Sequence, residues 1–158
     1  MGNEIENATV LAILPVLQDR LSLSAAFSDS GWILVFTGNL VEALAVLRSV
    51  LVGVVICDSY LPGGHTWRDL ISEMLKMQIP PPLILADRLA DDRLWVETLN
   101  LGVHDLLRKP FDSKEVLRAV TLACRSHENR AGLVRSRKES KAGSNDSKEA
   151  ARAFAAGL

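Results

Sequence analysis

At 158 residues with 48% hydrophobic content, the chain is long enough for one domain with a real core and a short additional segment. Its formal net charge of −1 excludes a global field that would draw it to nucleic acid or to an anionic membrane. The charge is uneven: residues 1–126 hold 11 Lys and Arg against 15 Asp and Glu, whereas 127–158 hold 7 against 4, a weakly acidic body with a weakly basic tail.

Residues 9–14 (Thr, Val, Leu, Ala, Ile, Leu) predict a first buried strand, stopped by Pro15. A helix is expected over 16–28, with Leu17, Leu21 and Ala25 at helical spacing. Asp29, Ser30 and Gly31 make a turn, and 32–37 reads as a second strand. Asn39 and Glu42 have the N-x-x-E spacing of a capping box, opening a helix whose inward face is Leu40, Ala43, Leu44, Leu47 and Leu51, ended by Gly53. Glu42, Arg48 and Gly53 interrupt the apolar region 40–57, so it is helix, turn and strand rather than a membrane span.

Val54, Val55, Ile56 and Cys57 then run straight into Asp58, with Pro62, Gly63 and Gly64 close behind. A short apolar run rich in β-branched residues predicts a strand buried on both faces, as in a parallel sheet. In open α/β sheets, ligands and chemistry collect outside the carboxyl ends of the strands. Asp58 is therefore a candidate site residue; it could equally be a turn residue, since Asp is common in turns.

A third helix is expected over 66–77, with Trp67, Leu70, Ile71, Met74 and Leu75 inward. Pro80, Pro81 and Pro82 form a stiff connector that no helix crosses. Residues 83–86 predict a fourth strand ending near Asp87, 91–101 a fourth helix closed by Gly102, and 105–108 a short fifth strand followed by Lys109, Pro110 and Phe111. Asp112 with Glu115 opens a fifth helix carrying Val116, Leu117, Val120 and Cys124 inward. Five strands alternating with five helices imply a parallel sheet with right-handed crossovers. Beyond Ser126 the pattern becomes charged, with a polar break at 143–147 and an Ala-rich end; 8–126 reads as the domain and 127–158 as a flexible or partly helical tail.

Cys57 and Cys124 match no metal or redox spacing, which points to a reducing, cytoplasmic setting, and the acidic N-terminus carries no secretory signal. His65, His104 and His127 have no metal-ligand spacing, and the three tryptophans are too scattered for a base-stacking platform. Trp95 is either core packing or an interface anchor.

The order of these signals resembles the receiver domain of two-component response regulators. Asp58 ending the third strand with Pro62 and Gly63 after it, Lys109-Pro110-Phe111 after the fifth, and Gly102 seven residues before Lys109 carry the resemblance, over roughly 8–126. It implies a flavodoxin-like doubly wound sheet in the order 2-1-3-4-5. It implies Asp58 as the acceptor of a phosphoryl group from a sensor histidine kinase, and Lys109 as the cation that contacts that group. It also implies a cis bond before Pro110 and an Mg²⁺ ion held by Asp58, the backbone carbonyl of Tyr60 and an acidic pair after the first strand. A homodimer through the face from the fourth to the fifth helix would fit the family, and the role is signalling rather than enzymatic turnover.

The sequence departs from the family at three places. Ile13, Leu14, Pro15 and Val16 stand where the acidic pair is expected, and Asp19, a turn further on, is expected to point elsewhere; Mg²⁺ is therefore doubtful. Ala86 or Asp87 stands where the family places a switch hydroxyl, and Leu106 where it places a switch aromatic. Asp87 is either a solvent-facing loop residue or a second carboxylate near Asp58, balanced by Lys109 or Arg88 or serving as a displaced metal ligand. Two readings follow: a stand-alone response regulator with impaired Mg²⁺-dependent phosphorylation, or a pseudo-receiver that docks partners without phosphorylation. A flavin carrier is disfavoured because the loop after the first strand has no Ser, Thr and Gly cluster to cradle a phosphate.

Overall fold

The computed structural model describes residues 8–156, with side chains described to Ser140 except Val134. Its central sheet is parallel throughout and has the order β2-β1-β3-β6-β7. The strands are β1 (Thr9–Ile13), β2 (Ile33–Thr37), β3 (Val54–Asp58), β6 (Leu83–Asp87) and β7 (Asp105–Arg108). Counting only these five, the order is 2-1-3-4-5, the doubly wound order expected. The helices are α1 (Leu17–Phe27), α2 (Leu40–Ser49), α3 (Trp67–Met74), α4 (Asp92–Asn100) and α5 (Ser113–Ala156).

Alternation along each strand assigns side chains to the two faces. Val10, Ala12, Val54, Ile56, Ile84 and Ala86 pack with Leu23, Ala26 and Phe27 of α1 and Val116, Val120 and Cys124 of α5. Leu11, Ile13, Val55, Cys57, Leu83 and Leu85 pack with Leu40, Ala43 and Leu47 of α2 and Trp67, Leu70 and Met74 of α3. Residues 54–57 are completely buried, as a middle strand covered on both faces must be.

Several local expectations change. Leu17, Leu21 and Ala25 do not face the core: the inward stripe of α1 is Asp19, Leu23, Ala26 and Phe27, on the opposite side of the helix. In α2, Asn39 Oδ1 accepts from the Glu42 amide at 2.9 Å, but the Glu42 carboxylate accepts from Gly38 rather than from Asn39, so the box is offset by one. That helix ends at Ser49, before Gly53, and leaves Leu51 91% exposed. The third helix stops at Met74 instead of Met77 and leaves Leu75 exposed; its start is a true capping box from Thr66 and Asp69. A two-stranded antiparallel ribbon, β4 (Tyr60–Leu61) and β5 (His65–Thr66), occupies what read as plain loop, turning through Gly63 and Gly64 at φ of 82° and 75°.

The chain divides into two units between His127 and Glu128. From Ser113 to His127, α5 belongs to the first. The second is helical from 128 to 156, including the polar stretch expected as a break.

Candidate functional site

Parallel strands bring their carboxyl ends to one edge of a sheet, so β3 and β7 present their terminal residues on the same side. Asp58 ends β3, and Lys109 follows Arg108, the last residue of β7. Lys109 Nζ donates to Asp58 Oδ2 at 2.6 Å. The same ammonium donates to Asp19 Oδ2 at 2.8 Å. Both partners are largely withdrawn from water, with side-chain exposures of 5% for Lys109, 7% for Asp19 and 15% for Asp58. Lys109 is thus not a solvated surface cation. The Lys109–Pro110 bond is cis, as the resemblance implied.

Asp19 was expected to point away and instead lies at the centre of the site. Its position in the first turn of α1 puts it on that helix's inward stripe, in line with Leu23. Arg88, just past β6, reaches its other oxygen at 3.6 Å from the rim. Burial works against a charged Lys109, and its hydrogen bonds to Asp19 and Asp58 outweigh that, so its pKa is raised above 10.5. Next to Asp58, the Cys57 thiol is pushed up, first by burial and then by the Asp58 charge.

The strand register aligns Asp58 with Ala86, a methyl where the resemblance implies a hydroxyl. The next residue of each strand end carries the polar contact: the Ser59 hydroxyl donates to Asp87 Oδ2. Asp87 Oδ1 accepts from the Leu89 amide at 2.7 Å. The Asp87 carboxylate is therefore not a free loop group; it ties β3 to the β6–α4 connection, while its backbone carbonyl accepts from the Lys109 amide at 3.1 Å. Ser59, 4% exposed, escaped the sequence reading because only the register reveals that it faces Asp87. A groove of about 300 Å³ opens beside this pair, bordered by Tyr60, Trp67, Leu89 and Leu94 among others. Tyr60 sits in β4 with its side chain exposed, and Leu106 lies half-buried in β7.

These groups do not suit Mg²⁺, which asks for about six oxygens in near-octahedral array. The end of β1 supplies only apolar side chains, and the Leu14 carbonyl accepts from Arg20 Nε at 2.6 Å. Both nearby carboxylates are already engaged by Lys109, and among the described residues no cluster of three His, Cys, Asp or Glu could hold a metal.

The chain has the fold of response-regulator receiver domains, the doubly wound sheet order that its structural neighbours share. Nodulation protein W of Bradyrhizobium diazoefficiens is 30% identical over 120 residues, covering 73% of this chain and 52% of that protein. An NtrX-like response regulator of Rickettsia conorii is 26% identical over 106 residues, covering 66% of this chain and 22% of that protein. Full-length FixJ from B. japonicum superposes with a TM-score of 0.70 at 26% identity, covering 79% of this chain and 61% of that one. The chain thus spans about half or less of the curated relatives it matches. No family model matches it. Among the described residues, no helix is long and apolar enough to cross a membrane.

Proposed function

We propose that this receiver domain works in two-component signalling with Asp58 as its phosphoacceptor and Lys109 as the cation that steadies the transferred group, and that Mg²⁺ gives it little or no help. The observation that carries this is the 2.6 Å contact between Lys109 Nζ and Asp58 Oδ2 at the carboxyl edge of the sheet. A carboxylate oxygen of Asp58 would attack the phosphorus of a phosphohistidine on a sensor kinase. The imidazole leaves with the electron pair of the broken P–N bond, and an acyl phosphate forms. The reaction needs charge stabilisation on the phosphoryl oxygens. Lys109, a compact ammonium, can supply part of it.

Three features support slow transfer. The attacking carboxylate is held by an ammonium that a second acid also holds. No acidic pair follows β1. Ala86 offers no hydroxyl at the register position beside Asp58. The partner-docking face under this reading is α4, where Trp95, Val96 and Leu99 are 39%, 57% and 48% exposed, with a homodimer through the α4 to α5 face as one form.

A second reading, a phosphorylation-independent docking module, is favoured by the hold of Asp19 on Lys109. Beryllofluoride, a phosphoryl mimic, separates the two. Under the first reading it shifts the tryptophan fluorescence of the wild type and leaves Asp58→Asn unchanged. No shift at any concentration would favour the docking module.

A further inference from the structure

We propose that Asp19 is a positioning residue that holds the Lys109 ammonium between two sequestered carboxylates, where it takes the place of a divalent cation, so that the Asp58 pocket is closed to metal ions. This deepens the receiver reading and rests on it only in treating Asp58 as the centre of the pocket.

Asp19 and Asp58 are brought to one nitrogen by α1 and β3, at 2.8 Å and 2.6 Å. Two carboxylates converging so closely must have a cation between them or give up a charge. Lys109 is that cation, and Arg88, at 3.6 Å from the other oxygen of Asp19, supplies a second positive charge. Two acids and two bases leave the cluster formally neutral, with no electrostatic demand for a metal. Other oxygens along this edge are engaged as well. Leu14 O accepts from Arg20, and Asp87 accepts from Ser59 and the Leu89 amide. An incoming ion would have to displace an ammonium that is 5% exposed and doubly hydrogen-bonded.

The role of Asp19 follows from the same geometry. It touches no reacting atom. It acts through Lys109, whose ammonium it holds by a hydrogen bond from α1. Removing the lysine should turn the cluster into a metal site, because two acids would then face each other with no cation between them.

Mn²⁺ titration of the full chain, with free ion counted by electron paramagnetic resonance, tests this without using phosphorylation at all. The wild type and Asp58→Asn should show no saturable binding in the millimolar range. Lys109→Met and Lys109→Gln should each gain one equivalent of bound Mn²⁺, and adding Asp19→Asn to either should abolish the gain. One-site binding by the wild type that Asp58→Asn removes would overturn the proposal. So would a Lys109 variant with a native circular dichroism spectrum that gains no Mn²⁺. If neither Lys109 variant folds, the comparison of wild type with Asp58→Asn decides. A chain that refuses both Mn²⁺ and beryllofluoride would uphold this proposal while counting against the phosphoacceptor reading.

Discussion

Asp19 and Lys109, ninety positions apart, meet at 2.8 Å in the interior of the site. The contact exists because α1 turns its Asp19–Leu23–Ala26–Phe27 stripe inward rather than its leucine stripe. Hydrogen bonds to charged groups contribute about 1.5–3 kcal/mol. Asp19→Asn should therefore lower the unfolding free energy by about that amount. Lys109→Met should cost about 3–5 kcal/mol, since it strands two carboxylates. Urea midpoints measure both; a change of only a few tenths for Asp19→Asn would mean that the contact carries no weight.

Alkaline stability should fall in two stages. The Cys57 pKa is raised above 9.0, so the folded thiol keeps a proton that the unfolded chain releases; stability is full below pH 9.0 and declines above it. The Lys109 pKa is raised above 10.5, so its contribution is full below pH 10.5 and is lost as pH rises through the higher folded value. Unfolding midpoints from pH 7 upward should show the earlier loss removed in Cys57→Ala and the later one removed in Lys109→Met. Identical profiles in all three proteins would contradict both assignments.

Ser59→Ala should cost about 1 kcal/mol, the net value of one hydrogen bond at a partly exposed acceptor. Because Ser59 opens the β4–β5 ribbon and Asp87 anchors Leu89, the loss should also speed amide exchange in both segments. Unchanged exchange at Leu89 would show that Asp87 holds the connection unaided.

Gly102 has φ of +88° with nothing within 4 Å of where a Cβ would stand. Any cost of Gly102→Ala is thus backbone strain alone, about 1–2 kcal/mol, the penalty of a left-handed residue. Gly102→Asn should cost less, because Asn enters that region more readily. Thermal melts of the two variants test the order.

Much of this was legible in the sequence because strands and loops announce themselves locally. The buried run before Asp58, the Pro-Gly-Gly stretch after it and the Lys-Pro-Phe that follows β7 placed the acid and the cation at one edge of the sheet. What stayed hidden depended on rotation and register. In α1 two apolar stripes lie on opposite sides of the helix, Leu17 with Leu21 and Leu23 with Phe27; the first is exposed at 68% and 62%, and Asp19 lies on the second, the buried one. The acid on the second stripe was itself the clue, for a lone Asp in line with Leu23 and Phe27 needs a buried cation. Ser59 and Asp87 meet only through the offset of β3 against β6, which residue type does not encode. The ribbon of Tyr60, Leu61, His65 and Thr66 is too short for an alternating pattern to be seen.

The most direct measurement of the central claim is the intact mass of the wild type and of Asp58→Asn after incubation with acetyl phosphate, with Mg²⁺ and with EDTA in its place. The account predicts slow addition of one phosphoryl group to the wild type, none to Asp58→Asn, and little difference between the two conditions. Rapid labelling that requires Mg²⁺, or labelling that survives the loss of Asp58, would contradict it.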